Sequence, residues 1–228
     1  MSYVVGATVV HVVDHAENVR EYCLKLDKFR KYDAGSFVQL TLDQVTPSQV
    51  WPDSRTFSIA SYSSEYITLI IQRVGYYTNR IFDELHIGSR CTLKYPFGDL
   101  FNKNQADDEH IFLAGGLGIT PFLSLLDYFQ QKEKLTNLHL LYSVKHTSDI
   151  LYQDKLTSAL RDRAQYFTTR EPESCYNSRR INLQDILAVC GENRNPHIYI
   201  CGSKSFNDHY ANILRSEGFN RIHMDEWE

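Results

Sequence analysis

Arg55-Thr56-Phe57-Ser58-Ile59-Ala60-Ser61 puts a cation, an aromatic ring and three hydroxyl side chains into seven consecutive residues. In an extended segment successive side chains alternate between faces, so Arg55, Phe57 and Ile59 point one way and Thr56, Ser58 and Ala60 the other. A guanidinium fork holds phosphate oxygens in two parallel charge-assisted bonds, a ring packs on an aromatic heterocycle, and a hydroxyl reaches a ring nitrogen. The stretch therefore suits a flat, partly polar ligand. A sheet-edge strand that merely carries an arginine looks the same locally, so the neighbouring segments decide.

On both sides of this stretch, from Tyr3 to about Tyr95, the apolar residues alternate or come in short runs: Val4-Val5, Val9-Val10, Val12-Val13, then Tyr22, Leu24 and Leu26, then Phe37-Val38-Gln39-Leu40. A period of two predicts strands. Asp33-Ala34-Gly35, Thr46-Pro47-Ser48 and Pro52-Asp53-Ser54 interrupt them with turn residues, a spacing that suits a small antiparallel barrel. Ile67 to Arg73 reads as a further strand, and Arg90 to Tyr95 as the last. Between them Thr78 has the chemistry of an N-cap, with Ile81, Phe82 and Leu85 at helical spacing behind it. The first turn of such a helix offers backbone N–H groups and the positive end of a dipole to a phosphate.

Asn102 to Glu109 is polar and without period, which puts the boundary between two domains there, as 1–103 and 104–228. Beyond it the pattern changes. His110-Ile111-Phe112-Leu113-Ala114 and Leu138-His139-Leu140-Leu141-Tyr142 read as buried strands, and Pro121 to Lys132 and Leu151 to Arg161 as helices, the alternation of a parallel α/β sheet. Gly115-Gly116-Leu117-Gly118-Ile119-Thr120-Pro121 falls at the first strand-to-helix turn, where a doubly wound sheet binds pyrophosphate; glycine lets the backbone approach, and Pro121 suits a first helical turn.

Taken in order, these segments resemble the ferredoxin-NADP reductase-like flavoproteins. Arg55 to Ser61 resembles their R-x-Y/F-S-x-x-S signature, and Gly75-Tyr76-Tyr77-Thr78 their G-x-x-S pattern with Thr for Ser. Pro96-Phe97-Gly98-Asp99-Leu100-Phe101 resembles the P-x-G-x-F turn ending the flavin domain, with one residue more before the Phe. Gly115 to Pro121 is similar to the G-T/G-x-G-I/x-A/T-P turn of the same family. Leu141-Tyr142-Ser143-Val144-Lys145, with Asp149 and Tyr152, resembles the second strand and the loop that meets the adenosine ribose, and Thr168-Thr169-Arg170-Glu171 the third strand. Ile198-Tyr199-Ile200-Cys201-Gly202-Ser203 with Phe206 resembles the fourth, a C-G-P turn with Ser203 where proline is usual. The close, Ile222 to Glu228, is similar to the family's acidic and aromatic ending.

The resemblance implies an antiparallel six-stranded Greek-key β-barrel that binds FAD, followed by an α/β parallel-sheet domain that binds NADP or NAD. It assigns Arg55 to cofactor phosphate, Phe57 to packing on the flavin, and Ser58 to the region of flavin N5, with Thr56 in the same set. Ile71, Gln72 and Val74 take backbone contacts along the ring, and Tyr77 and Thr78 lie on the helix against the pyrophosphate. Gly115, Gly116, Gly118, Ile119, Thr120 and Pro121 serve the second nucleotide, with Ser143, Lys145 and Arg170 at its adenosine end. Cys201, Gly202 and Phe206 lie at its nicotinamide. Ser58 and Cys201 are the residues implied in the chemistry, although a buried cysteine read alone is simply a small hydrophobe. Lys145, Arg170 and Arg179 are candidates for a 2′-phosphate, which favours NADPH, or are solvated surface charges.

The implied activity is oxidation of NAD(P)H with transfer of electrons through FAD to a separate acceptor protein, a ferredoxin or an oxygenase component. Because the chain starts at the barrel and stops at the acidic ending, no fused ferredoxin module is expected. Two other readings stay open: a flavin reductase that releases reduced flavin, and a regulatory or assembly subunit that binds nucleotide without turnover. Composition narrows the field further. Hydrophobic residues at 43% and charged residues at 23% fit a globular chain with real cores. A net charge of -4 with dispersed Lys and Arg argues against nucleic acid and anionic membrane as partners. The five cysteines are scattered without a C-x-x-C pair, so neither a zinc ribbon nor an iron–sulfur cluster is expected and a reducing, cytoplasmic location is. The nine histidines lack tight ligand spacing, so no metal site is expected.

Overall fold

Alternating inward residues build the first half of the chain. A computed structural model describes residues 2–45, 50–102, 105, 107–191, 193 and 195–224. The expected turn at Thr46-Pro47-Ser48, the expected boundary between Lys103 and Asn104, and the closing Asp225-Glu226-Trp227-Glu228 lie outside the described residues. The chain divides into one unit of Met1–Phe101 with Leu123–Tyr128 and a second of Asn102–Phe122 with Phe129–Glu228.

In the first unit β1 (Tyr3–Ala16), β2 (Val19–Leu26), β3 (Phe37–Thr41), β4 (Arg55–Ser58), β5 (Tyr66–Gln72) and β6 (Arg90–Phe97) form one sheet, with helix α1 (Tyr76–Glu84) between the last two strands. The strand order is β4-β3-β6-β1-β2-β5 and the pairings are antiparallel. Period two decides what is inside: Val5, Ala7 and Val9 of β1, Tyr22 and Leu24 of β2, and Ile67, Leu69 and Ile71 of β5 fill a single core. Bulges between Val9 and His11 and between Asp14 and Ala16 break the β1–β2 register. An extra residue on one strand bends it and increases twist, which helps this sheet to curl.

The curl brings the two edges together at one level. Ala60 N–H donates to Thr68 C=O at 2.8 Å and Thr68 N–H to Ser61 Oγ at 3.1 Å, so the sheet is a nearly closed barrel. Helix α1 lies over it with Tyr77, Ile81 and Phe82 buried. Its start corrects the sequence reading. Gly75, not Thr78, is the N-cap; Thr78 sits in the first turn, 8% exposed, and its Oγ1 turns back to accept the N–H groups of Val74 (2.9 Å) and Gly75 (3.0 Å). A threonine hydroxyl does this from within a helix as readily as from its cap.

The second unit alternates β7 (His110–Gly115), α2 (Thr120–Gln131), β8 (Leu138–Val144), α3 (Gln153–Leu160), β9 (Ala164–Thr168), α4 (Leu183–Cys190), β10 (His197–Cys201), α5 (Lys204–Ser216) and β11 (Ile222–Met224). All its pairings are parallel, in the order β11-β10-β7-β8-β9. Every residue of β10 is buried, as a strand covered on both faces requires. On one face Ile111, Leu113, Ile198 and Ile200 meet Ile186, Tyr210 and Leu214. On the other, Phe112 stacks on Tyr199 at 4.6 Å and meets Phe122 of α2 at 4.5 Å. The third strand lies earlier than read from sequence. Tyr166, Phe167 and Thr168 are its buried residues, and Thr169, Arg170 and Glu171 follow it.

His110 shares this aromatic face, 5.0 Å from the Phe129 ring and 5.4 Å from that of His197, with its Nε2 bonded to the Gln105 carbonyl at 2.9 Å. Burial, with a smaller contribution from the neighbouring imidazoles, lowers its pKa from 6.5 to about 4. The unfolded chain takes up the proton at higher pH than the folded one. Stability from this group is therefore complete above pH 6.5 and falls by about 3 kcal/mol as pH drops towards 4. Urea unfolding across that window should show the loss, and His110→Gln should flatten it; an unchanged slope would assign the loss to other groups.

Candidate functional site

Two groups of residues carry ligand chemistry, one in each unit. In the barrel, the edges that meet at Thr68 diverge beyond it. The β2–β5 register is unbroken from Lys25↔Tyr66 to Val19↔Gln72, and Thr68 turns its N–H and C=O away from β2. Strand alternation then turns the backbone groups of Ile70 and Gln72 to the same open side and those of Leu69 and Ile71 to β2. Ile71 was expected along the ligand; it is 1% exposed, with its side chain in the core and its backbone paired to Arg20. Ile70, which the sequence reading did not name, is the residue whose backbone turns to the open side, and the signal that finds it is the parity of the strand. Val74, also expected there, has an exposed side chain but an N–H already given to Thr78.

Along the facing edge, Thr56, Phe57 and Ser58 are half-buried. Phe57 lies opposite Val38 and packs on the barrel core, and the Ser58 hydroxyl makes no hydrogen bond among the described residues. Arg55 is exposed, its guanidinium 4.7 Å from the centre of the Tyr77 ring, with Nη1 donating to Asp53 Oδ1 (2.6 Å) and to the Ser54 carbonyl (2.7 Å). An exposed ion pair of this kind contributes little and yields readily to a phosphate. Tyr77 was expected to touch the ligand. Its side chain is a support: 2% exposed, it donates to the Asp53 carbonyl at 3.0 Å, accepts from Leu42 N–H at 3.1 Å, and carries Arg55 on its ring, which leaves its backbone N–H as the group that can meet a ligand. The first-turn N–H groups of Tyr76, Tyr77 and Thr78 have no carbonyl partner within the helix. The Arg55 guanidinium lies over the ring of Tyr77, a residue of that turn, and a cation with first-turn backbone donors is a donor set that fits pyrophosphate.

In the second unit the chain goes from β7 to β8 and β9 on one side and then crosses to β10 on the other. Adjacent loops therefore leave in opposite directions at the carboxyl ends of β7 and β10, and a crevice opens there. Gly116–Ile119 turns through this point as a short 3-10 helix and runs into α2. Gly116 has φ +55 and open space around the position a Cβ would take. At Gly118 a Cβ would lie 1.9 Å from the Cys201 carbonyl oxygen, so only glycine lets the turn close against β10. Ile119 is fully buried, Pro121 is buried, and Thr120 donates its hydroxyl to the Leu117 carbonyl at 3.0 Å, so these side chains shape the turn.

Cys201 ends β10, 5% exposed and paired with Ala114. Phe206 packs over Gly115 and Gly202, where added Cβ atoms would come within 3.0 and 2.8 Å of its ring. Ser203 caps α5, its Oγ accepting from Phe206 N–H at 3.3 Å, so the turn keeps a defined start without the usual proline. Ser143 is half-buried opposite Gly115. Beyond the strand ends Arg170 N–H donates to the Lys145 carbonyl at 2.9 Å, which pairs the backbones of two exposed cationic residues, neither with an ion pair among the described residues. Arg179 differs. It donates to both carboxylate oxygens of Asp185 (2.6 and 2.7 Å), which holds the Asp185 carboxyl below the usual range and removes Arg179 from the set.

A nearly closed six-stranded barrel followed by a parallel sheet with a glycine turn at its switch point is the architecture of the ferredoxin-NADP reductase-like flavoproteins. Residues 112–212 match the family model of the oxidoreductase NAD-binding domain. The phenol hydroxylase P5 protein of Acinetobacter pittii is 23% identical over 97% of this chain and 65% of its own length. A glycine betaine monooxygenase reductase subunit of Chromohalobacter salexigens is 24% identical over 95% and 62%. The chain thus spans less than two thirds of the curated relatives it matches. Its fold superposes on the flavohem-like FAD/NAD binding domain of nitric oxide dioxygenase from Vibrio cholerae with a TM-score of 0.82, at 16% identity and covering 98% of both chains. Residues 112–212 are thus similar to the oxidoreductase NAD-binding domain family, and the chain as a whole shares the fold of the FAD/NAD binding domain. Among the described residues no helix is long and apolar enough to cross a membrane.

Gly118→Ala drives a methyl group into the Cys201 carbonyl and should lower unfolding free energy by at least about 1–3 kcal/mol in urea, the scale of overpacking. Ser143→Ala, at a half-buried position, should change it by less than about 0.5 kcal/mol. Equal effects would show that the close approach is not what constrains the turn.

Proposed function

We propose that this chain is a flavin-dependent oxidoreductase that oxidises NADPH or NADH through bound FAD and passes the electrons to a separate acceptor, such as a ferredoxin or an oxygenase component. The observation that carries this reading is the barrel seam, where Arg55 and the first turn of α1 stand at one end of an open strand edge. The relatives named as oxygenase reductase components support the acceptor, and the domain named for FAD and NAD supports the cofactors.

In this reading Arg55 and the N–H groups of Tyr76, Tyr77 and Thr78 hold pyrophosphate. Phe57 packs beside the flavin ring, the backbone of Ile70 and Gln72 bonds its edge, and the Ser58 hydroxyl, uncommitted within the fold, orients the region of N5. When bound, the flavin accepts a hydride from the reduced nicotinamide and releases electrons singly or in pairs, chemistry that belongs to the cofactor. The backbone of Gly115 to Ile119 approaches the second pyrophosphate. Lys145 and Arg170, without an ion pair among the described residues and joined by a backbone hydrogen bond, stand with Ser143 at the adenosine end and favour NADPH. Cys201, Gly202 and Phe206 border the nicotinamide, where the nearly buried thiol offers a small surface that excludes water. Free cysteines at all five positions support a reducing, cytoplasmic setting.

The deciding measurement is an anaerobic visible spectrum of the purified protein with added FAD, before and after NADPH or NADH. Bleaching of the bound-flavin band establishes the activity. Bound flavin that neither nucleotide bleaches turns the reading to a binding subunit, and failure to take up flavin overturns the assignment of Arg55 to Ser58. Arg55→Ala should weaken FAD binding roughly 10- to 100-fold, the loss of a charge-assisted contact. Cys201→Ala should retain flavin but slow its single-turnover reduction; an unchanged rate would remove Cys201 from the mechanism.

A further inference from the structure

The parallel sheet has a second concave feature at its opposite end. A cleft of about 530 Å³ is lined by Gln130, Thr136, Lys155, Ser158, Arg161 and Arg163 with no acidic residue in its wall. Its position follows from the topology. Thr136 precedes β8, Arg161 and Arg163 precede β9, and Gln130 is near the end of α2, so the cleft opens at the amino ends of β8 and β9, at the opposite end of the sheet from the crevice at the carboxyl ends of β7 and β10. A strand of five to seven residues separates the two by roughly 20 Å.

Two observations distinguish this cleft from an ordinary basic surface. Neither Arg161 nor Arg163 makes an ion pair among the described residues, so the two guanidiniums stand in one wall with their charge uncompensated. The Nε–H of Arg163 is also buried with no acceptor among the described residues. Cations after the last turn of α3 do oppose its dipole, but that role is fulfilled by exposed charge and leaves no donor buried. A buried guanidinium N–H without an acceptor carries a desolvation cost, which a shift of the side chain towards an anion in the cleft relieves. An anion supplies acceptors, and two guanidiniums, an ammonium and two hydroxyls in one concave wall match several phosphate oxygens.

We propose that this cleft is an anion site for a small phosphate-bearing molecule, separate from the dinucleotide crevice. The volume is within the range of small-molecule pockets and exceeds a single phosphate, so the ligand carries an organic part or a second phosphate.

Nuclear magnetic resonance of the full chain, titrated with sodium pyrophosphate at constant ionic strength, tests this. The side-chain N–H of Arg163 and the backbone N–H groups of Thr136, Ser158 and Arg161 should move saturably, with Kd below ~1 mM. Arg163→Gln should weaken that binding at least ~10-fold, and Lys155→Gln, at a half-buried helix position, should weaken it in a chain that keeps both arginines. If Arg163→Gln misfolds, Lys155→Gln decides. Movement confined to Gly115–Ile119, unsaturated drift matched by sodium chloride, or saturable binding that survives both substitutions would each overturn the proposal.

Discussion

Each backbone N–H and C=O of a strand faces one side only, and this constraint organises the barrel. The sheet closes where Thr68 bonds Ala60 and Ser61, then its edges part. Above that level the groups of Ile70 and Gln72 are turned towards the seam, where no strand continues the ladder. A backbone edge of this kind must find other partners. The residues around the seam are the ones whose chemistry suits a polar heterocycle with phosphate: a hydroxyl free at Ser58, a half-buried ring at Phe57, and a guanidinium at Arg55 held over Tyr77. Tyr77 links the parts, since its hydroxyl ties helix α1 to the segments before β4 and after β3 while its ring seats the arginine.

The parallel sheet solves a related problem by topology. Reversal of strand order between β7 and β10 opens a crevice, and the turn that occupies it has to pass within contact distance of the Cys201 carbonyl. Glycine at 118 is the consequence of that approach. Phe206 closes over Gly115 and Gly202 from the first turn of α5, and Ser203 fixes where that helix begins. At the adenosine end, Arg179 shows how a cation drops out of a site: its fork is filled by Asp185, which in turn caps α4. Lys145 and Arg170 have no such partner among the described residues.

Much of this was legible in the sequence. Period two in Val5, Ala7 and Val9 and in Ile67, Leu69 and Ile71 marks one inward face without reference to any neighbour, because side chains alternate whatever the sheet. The change from alternating to continuous apolar strands near residue 110 reflects burial on both faces, and the glycine turn between β7 and α2 marks the nucleotide end. The order of these signals along the chain determined the fold class and the two candidate seats.

Tertiary structure decided the finer assignments, for reasons local sequence does not hold. That Ile70 rather than Ile71 turns its backbone to the seam depends on which strand pairs with β5, a contact with residues about 50 positions away. Thr78 could cap from outside or bond back from within the helix, and the position of Gly75 chose. That the Tyr77 side chain supports Arg55, and that Arg179 is bound to Asp185, were set by neighbours that folding supplies. Alternation and turn chemistry are properties of a short segment and can be read from it. Burial, pairing partner and charge neutralisation are properties of the assembled chain, and they exist only once distant residues meet.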